Sequence, residues 1–408
     1  MSEWKKVKLG DCCEITSSKR CHASERSKEG IPFYCSKEII LLDNGEKVRD
    51  SDYIPIELYE SIKQKYGVPK PGDLLLTTRG TNGIPYIYKD NDCFYFADGN
   101  LSWFKNFKNE LSVRYLYYWF KSHIGKHSVD SIAKGTAQKA VPIDGLRNLD
   151  IELPSFPIQH RIATILSRYD SLIENYQKQI KLLEEAVQRL YKEWFVDLHF
   201  PGHENTKIVD GVPERWEKKR LEDVFSYIRG KSYSSKELSE EGTIMVNLKN
   251  IQAFGGYKRN AEKRFIGDYK QEQSIETGDL VMGVTDMTQE RRLVGHVALI
   301  PNFKEKATFS MDLIKILPFE LSKTFLYCAM RFGGISKKIA PLANGVNVLH
   351  LKPEAMTRIE MVVPSIAIVK QFDDYIKHSF NTILHLQDQI RLLTEARDRL
   401  LPRLMSGE

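Results

Sequence analysis

The sequence lacks long apolar runs. None of its 408 residues lies in a stretch that approaches the ~18 consecutive apolar residues needed to span a bilayer, and the first residues, MSEWKKVKLGDC, form no apolar signal region. The hydrophobic fraction of 42% and the aromatic fraction of 11% exclude a disordered chain, because such a chain could not bury enough apolar surface to offset its conformational entropy. We therefore expect a soluble, folded, cytoplasmic protein with no membrane partner.

Cysteine is scarce and irregularly placed, and no C-x-x-C pair occurs. The six cysteines are Cys12, Cys13, Cys21, Cys35, Cys93 and Cys328. Their spacing does not fit an extracellular disulfide framework. The nearest metal pattern combines Cys12, Cys13 and Cys21 with His22, but adjacent cysteines seldom share one tetrahedral ion. We predict reduced, mostly buried thiols and no metal site.

Motifs of known catalytic sites are missing. The chain has no G-x-x-x-x-G-K-[ST] phosphate loop, no G-x-G-x-x-G behind a strand, and no H-E-x-x-H or G-x-S-x-G. It also has no N-P-P-[YF] or D-P-P-Y tetrapeptide, the usual pocket for amino-methylation of a DNA base. The histidines have no partner at ligand or triad spacing. No residue pattern calls for an active site or for a cofactor of its own, and a novel active site stays open at this point.

A strong net charge is absent as well, since 60 Lys and Arg face 54 Asp and Glu, a formal charge of +6. Residues 1–153 carry 23 basic and 21 acidic residues, and residues 199–364 carry 25 and 21. The segments 157–198 and 365–408 carry six of each sign. The positive excess therefore lies in two blocks, each followed by a neutral one.

An internal repeat explains this alternation. Residues 180–195 (IKLLEEAVQRLYKEWF) match residues 390–405 (IRLLTEARDRLLPRLM) at an offset of 210, with seven identical pairs. Residues 4–12 match residues 216–224 at an offset of 212. Collinear matches at both ends of two halves indicate a duplicated unit. The resulting segments are two globular domains, 1–153 and 201–364, and two neutral segments, 154–200 and 365–408.

The neutral segments have a heptad pattern that predicts two long helices. In the first, apolar residues recur at spacings of 4 and 3 from Ile162 to Trp194; a helix of about 38 residues is about 55 Å long. Ser379 and Arg397 interrupt the second seam. Neither helix has another partner in its own unit, so we expect the two to pack on each other, antiparallel. The predicted seam is Ile162, Leu166, Ile173, Ile180, Leu183, Leu190, Phe372, Ile376, Ile383, Ile390, Leu393 and Leu400.

Additional apolar residues beside the seam make the apolar stripe on each helix wider than the seam alone. They are Ile165, Leu172, Leu182, Leu392 and Leu401. A stripe wider than a two-helix seam needs a further covering surface. Two alternatives remain open: these residues dock helices of a partner protein, or they pack on the protein's own globular domains.

The globular blocks are predicted to be mixed α/β structures with short strands, such as 73–78 and 279–284, and helices near 113–123 and 321–332. Their loops combine basic, amide and hydroxyl side chains, which suit phosphates and base edges. Equivalent loops recur in both units with different residues, as expected for readers of two different DNA sequences. The predicted DNA-binding residues are Lys19, Arg20, Arg79, Thr81, Asn82, Lys134, Thr136, Gln138, Lys139, Arg229, Lys231, Tyr233, Lys249, Asn250, Arg291, Arg292, Asn344 and Asn347.

With these features, the chain resembles the specificity (S) subunits of Type I DNA restriction-modification systems. The resemblance covers essentially the whole chain, and it departs locally at residues 364–371, which lack the Gln-His-Arg run found at 159–161. The segments that carry it are 4–9 and 216–221, Gly-Asp-Leu-Leu-Leu at 72–76, Gly-Asp-Leu-Val-Met at 278–282, LPSFPIQHRI at 153–162, EWFVDLHFPG at 193–202 and GVPERW at 211–216.

The resemblance implies an α+β fold: two similar mixed α/β target-recognition domains separated by two long antiparallel coiled-coil helices, related by an internal pseudo-twofold repeat. Each domain is expected to read one half of a split site in double-stranded DNA, and the helices to set the spacer. Two methyltransferase (M) subunits are the expected partners on the helices, with two motor-nuclease (R) subunits as optional further partners. S-adenosylmethionine is expected in the M subunit, which methylates adenine at N6.

Two other classes of function remain open from the residues alone. The chain could be a single-chain DNA-modifying enzyme with an unrecognised site, which cleavage or methyl transfer by the purified chain alone would favour. It could also be a coiled-coil adaptor that joins two modules which do not bind DNA. Failure to select a split DNA sequence in the presence of its methyltransferase would favour the adaptor.

Overall fold

The structure is a computed structural model that describes residues 4–135, 139–259 and 261–407. The chain forms two compact units. Unit 1 comprises the residues up to Asn175 together with those from Arg391 onward, and unit 2 comprises Tyr176–Ile390. None of the helices in the described ranges combines the length and the apolar character that a membrane crossing requires.

Among its described residues, unit 1 contains nine strands and seven α-helices that begin within it. The strands are β1 (Lys5–Lys8), β2 (Glu14–Thr16), β3 (Ile31–Tyr34), β4 (Asp52–Ile54), β5 (Leu74–Thr77), β6 (Pro85–Ile87), β7 (Tyr95–Phe96), β8 (Leu101–Lys105) and β9 (Asp150–Leu153). The helices are α1 (Leu9–Cys12), α2 (Ser36–Asp43), α3 (Ile56–Lys65), α4 (Val113–Lys121), α5 (His123–Ile132), α6 (Ile143–Arg147) and α7 (Phe156–Phe195), which continues into unit 2.

The core of unit 1 lies around an antiparallel sheet of order β2-β8-β5-β6. Strand β5 is buried along its whole length, as expected for a continuous apolar run in the middle of a sheet. A second sheet, β4-β3-β7, pairs β3 with β7 in parallel. The first strand, β1, pairs antiparallel with β9, so that Lys5 lies opposite Leu153, the last residue of the strand that leads into α7.

Unit 2 repeats this plan. Its strands are β10 (Ile208–Val209), β11 (Val212–Pro213), β12 (Glu217–Arg220), β13 (Phe225–Arg229), β14 (Leu238–Ser239), β15 (Thr243–Val246), β16 (Lys263–Phe265), β17 (Leu280–Gly283), β18 (Thr285–Asp286), β19 (Val297–Leu299), β20 (Ala307–Phe309), β21 (Leu313–Pro318), β22 (Leu349–His350) and β23 (Glu360–Val363). Its helices are α8 (Lys323–Arg331), α9 (Ile335–Ile339), α10 (Pro353–Met356) and α11 (Ile366–Ser406), which continues into unit 1.

The main sheet of unit 2 corresponds to that of unit 1 strand by strand, and its second sheet has one strand more. The main sheet has the order β13-β21-β17-β19, and a second sheet, β14-β16-β15-β20, again contains one parallel pair, β15 with β20. Strand β12 pairs antiparallel with β23, the strand that leads into α11. The strands predicted at 73–78 and 279–284 and the helices predicted near 113–123 and 321–332 are confirmed as β5, β17, α4 and α8.

The long helices are also confirmed, and they pack on each other within each unit. In unit 1, Ile162 and Leu166 near the start of α7 share a core with Met405 at the end of α11. In unit 2, Tyr191 and Trp194 near the end of α7 contact Phe372 near the start of α11, with ring centroids 5.9 and 5.8 Å apart. The helices therefore run antiparallel, and each unit contains the start of one and the end of the other.

None of the predicted seam residues is fully exposed. Ile162, Leu166, Ile173, Phe372, Ile376 and Ile383 are buried, and Ile180, Leu183, Leu190, Ile390, Leu393 and Leu400 are half-buried. Arg397, which interrupts the seam, forms an ion pair with Asp170 of α7 at 2.7 Å, and the same carboxylate accepts a hydrogen bond from the Tyr118 hydroxyl. An arginine can therefore replace a seam leucine because α7 supplies its counter-charge.

A buried amide fixes the start of α7. Gln159 is fully buried, and its side-chain oxygen accepts a hydrogen bond from the backbone N–H of Ser112 at 2.9 Å. Its Nε2 donates to the carbonyl oxygens of Glu110 at 2.8 Å and Pro154 at 2.9 Å. These three bonds connect the helix to the loop before α4 and to the end of β9.

Unit 2 fixes the start of α11 differently. The position equivalent to Gln159 is Val369, a buried residue of the apolar core. Asp373, one turn later, instead accepts hydrogen bonds from the hydroxyls of Ser322 at 2.8 Å and Thr324 at 3.1 Å. The missing Gln-His-Arg run is thus compensated by a carboxylate that binds the start of α8.

The cysteines are free thiols in the structure. Four of the six are buried, Cys35 is half-buried and Cys93 is exposed. Burial raises the pKa of the Cys13 thiol to about 12 and that of Cys21 to about 11. Across the described residues, no group of three or more His, Cys, Asp or Glu side chains is arranged to hold a metal ion.

Candidate nucleic-acid interface

The loops of unit 1 that carry Arg79, Asn82 and Lys139 meet at the edge of the main sheet where β5 ends. The backbone N–H of Thr78, just after β5, donates to the carbonyl of Asn100 at 2.8 Å, and the Thr78 carbonyl accepts from Val141 N–H at 2.9 Å. Asn82 donates a side-chain hydrogen bond to the carbonyl of Lys139 at 3.2 Å. The loop after β5 therefore lies between the loop that precedes β8 and the bridge that pairs Lys134 with Ala140.

Most candidate side chains of unit 1 are exposed on this edge. Arg20 forms an ion pair with Asp98 at 2.8 Å, and Asn82 is half-buried. The exposed candidates are Lys19, Arg20, Arg79, Thr81, Lys134 and Lys139. The other two candidates of this unit, Thr136 and Gln138, lie outside the described residues.

Two residues that sequence reasoning missed hold these loops in place. The hydroxyl of Ser36, at the start of α2, lies 3.0 Å from the carbonyl oxygen of Arg79 and 3.1 Å from that of Asn100. The buried Tyr95 accepts a hydrogen bond from the Lys19 backbone N–H at 2.7 Å. Neither residue carries a local sequence signal, because each acts across a large separation in the chain.

The loops of unit 2 meet in the same way. Strand β18 pairs with β22, so that Thr285 lies opposite His350 and Asp286 opposite Leu349. The Thr285 hydroxyl donates to Asp312 Oδ1 at 3.1 Å. The loop that follows β13 joins the group, because the Lys231 N–H donates to the carbonyl of Phe309 at 2.8 Å.

The candidates of unit 2 are less uniformly exposed. Lys249, Asn344 and Asn347 are exposed, and Lys231, Tyr233, Arg291 and Arg292 are half-buried. Arg229 is exposed but bound to Glu354 at 2.6 Å, and hydrogen bonding with that carboxylate raises the pKa of the arginine further. Tyr233 accepts a hydrogen bond from Lys263 at 2.5 Å.

Asn250 is the candidate that the structure sets apart from this surface. It is fully buried, its Nδ2 donates to the carbonyl of Lys258 at 2.9 Å, and its Oδ1 accepts from the N–H and side-chain amide of Asn247, both at 3.0 Å. All of these bonds lie inside unit 2. Asn250 therefore stabilises the turn that presents Lys249 and is not itself a surface group.

A buried carboxylate shapes the loop after β18. Asp286 is fully buried; its Oδ1 accepts from the N–H and hydroxyl of Thr288 at 2.8 and 2.7 Å, and its Oδ2 from the N–H groups of Leu293 and Val294 at 2.6 and 3.1 Å. Burial by itself raises the pKa of this carboxyl, but the hydrogen bonds to the charged form outweigh burial and lower it. An acidic residue within a basic loop, two positions before a threonine, is the sequence signal that could have found it.

The chemistry of both loop clusters suits DNA and not catalysis of a reaction. Each presents exposed basic groups for phosphates and amide or hydroxyl groups for base edges. Each is fixed by backbone hydrogen bonds on a sheet edge. The two clusters have equivalent frameworks and different side chains, which defines a protein with two related recognition surfaces.

Comparison with known proteins identifies this class. The family model described as "Type I restriction modification DNA specificity domain" matches residues 1–185 and 213–392. The chain thus contains two Type I DNA specificity domains. It belongs to the family of Type I restriction-modification specificity (S) subunits, and it is the non-catalytic DNA-specificity component of a Type I restriction-modification complex.

Individual relatives agree with this assignment. The chain is 28% identical over 347 residues to the Type I restriction enzyme MjaIX specificity subunit of Methanocaldococcus jannaschii, which covers 83% of this chain and 77% of that protein. It is 32% identical over 189 residues to a putative type I restriction enzyme specificity subunit, S.HindORF215P, of Haemophilus influenzae, 46% of each protein. The crystal structure of a Type I S subunit from M. genitalium shares the fold, with a TM-score of 0.57 at 18% identity over 99% of this chain and 96% of that one.

Proposed function

We propose that each half of the chain reads one half of a bipartite DNA site. The target-recognition domains are residues 1–153 and 201–364, and the spacer helices are residues 154–200 and 365–408. The observation that carries this proposal is that two loop clusters with the same framework present different residues at equivalent positions, Thr81 and Lys134 in one and Met287 and Asn344 in the other.

Arg79 is the first choice for a base contact in unit 1. It is exposed directly after β5, and the Ser36 hydroxyl fixes its backbone. An arginine held in this way can reach the O6 and N7 atoms of guanine with two hydrogen bonds. Lys19, Lys134 and Lys139 suit phosphates, since an ammonium group is a point charge without the planar fork of a guanidinium.

The long helices are proposed to bind two M subunits. Support comes from apolar residues that are exposed at equivalent positions of the repeat: Leu182 is 64% exposed and Leu392 is 44% exposed, and Phe156 and Ile366 are both exposed. Leu172 is exposed too, whereas Leu401 packs on the core of unit 1. Because the exposed apolar residues lie at equivalent positions on both helices, each helix could bind one copy of the same partner.

The family's organisation supports the remaining parts of the proposed assembly. S-adenosylmethionine is proposed to bind in the M subunits, which methylate adenine, with two R subunits as optional further partners. The site of action is the cytoplasm, where the host DNA lies. With a formal charge of only +6, the isolated chain is expected to bind DNA weakly, and the M subunits to add phosphate contacts.

The test is selection of sequences from a random duplex library by the complete complex of this chain with its M subunits. A bipartite consensus is expected. Arg79→Ala should cost about 1–3 kcal/mol and relax one base position in one half-site, whereas Arg114→Ala, which removes another exposed arginine from α4, should leave the consensus unchanged. A consensus unaffected by either change would refute the assignment of Arg79.

A second test addresses the spacer. Four residues inserted into α7 add about 6 Å at ~1.5 Å per residue, which is about two base pairs of B-DNA. The spacer should lengthen while both half-sites remain the same. A change in the half-sites with the spacer intact would contradict the proposed role of the helices.

A further inference from the structure

Unit 2 presents large, exposed apolar side chains on its loop cluster. Met287 is 76% exposed, Met311 is 55% exposed and Val346 is 87% exposed. Their loops are joined, since Gln289 donates a side-chain hydrogen bond to the Val346 carbonyl at 2.9 Å and the Met311 N–H donates to the Lys231 carbonyl at 2.9 Å. These side chains therefore belong to one surface.

The chemistry around this apolar group points to its ligand. Lys231, Arg291 and Arg292 supply positive charge in the same loops, and Asn344 and Asn347 supply exposed amides. A negatively charged polymer that also exposes small apolar groups would fit such a surface. In the major groove of DNA, the C5-methyl group of thymine is the apolar feature that distinguishes one base pair from the others.

The loop that carries Met287 is held rigidly enough for such a contact. Asp286, the preceding residue, is fully buried and accepts four hydrogen bonds from Thr288, Leu293 and Val294. Strand β18, which contains Asp286, pairs with β22 beyond the loop of Val346. A side chain carried by a preorganised loop gains more from binding than one carried by a mobile loop, because ordering the backbone costs less conformational entropy.

We infer that Met287 and Val346 read thymine through its methyl group, in the half-site that residues 201–364 recognise. This inference rests on the proposed function and adds a base identity to it. It distinguishes the two units, because the position equivalent to Val346 at an offset of 210 is Thr136 in the first half. The half-site of unit 2 is therefore expected to contain a specified thymine besides the one opposite the methylated adenine.

The experiment replaces the thymines of that half-site with deoxyuridine, one at a time. Deoxyuridine keeps the hydrogen-bonding edge of thymine and lacks the methyl group. Binding by the complete complex with the M subunits should weaken about fourfold at one or more of these thymines, as expected for one methyl-sized apolar group left unburied. Val346→Thr and Met287→Ser should bind the thymine duplex more weakly and respond less to deoxyuridine.

Matched controls separate the possible results. Val209→Thr changes another exposed valine, in the β10–β11 hairpin, and should respond to deoxyuridine as the unmodified chain does. A bipartite consensus with no deoxyuridine effect would overturn this inference and leave the proposed function standing. The same holds if the variants weaken M-subunit assembly while the deoxyuridine effect persists. Failure of the unmodified complex to select any bipartite site would overturn the proposed function, and this inference with it.

Discussion

Replacement of Gln159 by valine tests how α7 is attached to unit 1. The change copies the residue that unit 2 has at the equivalent position, Val369. It would leave the Ser112 N–H and the carbonyl oxygens of Glu110 and Pro154 without the bonds that Gln159 makes at 2.8–2.9 Å. Unit 1 has no carboxylate to compensate, because Ala163 stands where unit 2 has Asp373.

The expected loss in the free energy of unfolding follows from the burial of these polar groups. A buried polar group left unsatisfied costs about 1–3 kcal/mol. The bond to Pro154 is buried, and the bonds to Ser112 and Glu110 are partly buried, so water can replace part of the latter two. We expect Gln159→Val to lower the free energy of unfolding by about 2–4 kcal/mol, a fall of roughly 4–16 °C in the melting temperature of a unit this size.

Calorimetry of the full chain measures the change in melting temperature, and urea denaturation measures the change in the free energy of unfolding. His160→Ala is the control, because His160 is the exposed neighbour of Gln159 in the same motif and surface changes are usually within about 0.5 kcal/mol. Equal stability of Gln159→Val and His160→Ala would mean that the amide does not fix the helix start, and this part of the account would be wrong.

Three further predictions concern other contacts. Arg397→Ala should destabilise unit 1 by about 1–3 kcal/mol, because it leaves the half-buried Asp170 carboxylate without its ion-pair partner; a double-mutant cycle with Asp170→Asn measures the coupling, and no coupling would refute the pairing. The lowered pKa of Asp286 in the folded state means that its contribution to stability is present above its ordinary pKa of 3.8 and is lost as pH falls through the folded-state value. Asp286→Asn should therefore reduce stability by about 2 kcal/mol at pH 6 and by progressively less as the pH falls below 3.8; a loss that does not change with pH would contradict this. Thiol labelling of the native chain should modify Cys93 first, as the one exposed cysteine of the described chain, and rapid loss of a second thiol would indicate local opening.

The general fold could be predicted because its signals are repeated and periodic. The heptad spacing from Ile162 to Trp194 specifies a helix, and the buried run of β5 specifies an interior strand. The duplication at an offset of 210 placed equivalent elements in both halves. The antiparallel packing followed from the lack of any other partner for either helix.

The contacts that attach the helices could not be predicted, because they depend on groups far apart in the chain. Gln159 meets Ser112 across 47 residues, and Arg397 meets Asp170 across 227. The heptad rule counted Arg397 as an interruption, although its charge is neutralised by the facing helix. In the loops, residue type indicated nucleic-acid binding, but only the fold shows that Asn250 is buried whereas Lys249 is exposed.

The role of the apolar residues in the loops could not be predicted from the sequence either. A search for basic and amide side chains passes over Met287 and Val346, which are the most exposed large hydrophobic residues of unit 2. Their position becomes informative only when the β18–β22 pairing brings their two loops together.

The central claim is that the two halves of the chain read two separate half-sites. It is tested most directly by mapping methylated adenines in the genome of a host that produces this chain with its M subunits, and again after residues 1–153 are replaced by the first domain of another family member. The account predicts one bipartite motif in the first map and, in the second, a change confined to one half-site with the spacer unchanged. A change in both half-sites, or an undivided motif in the first map, would contradict it.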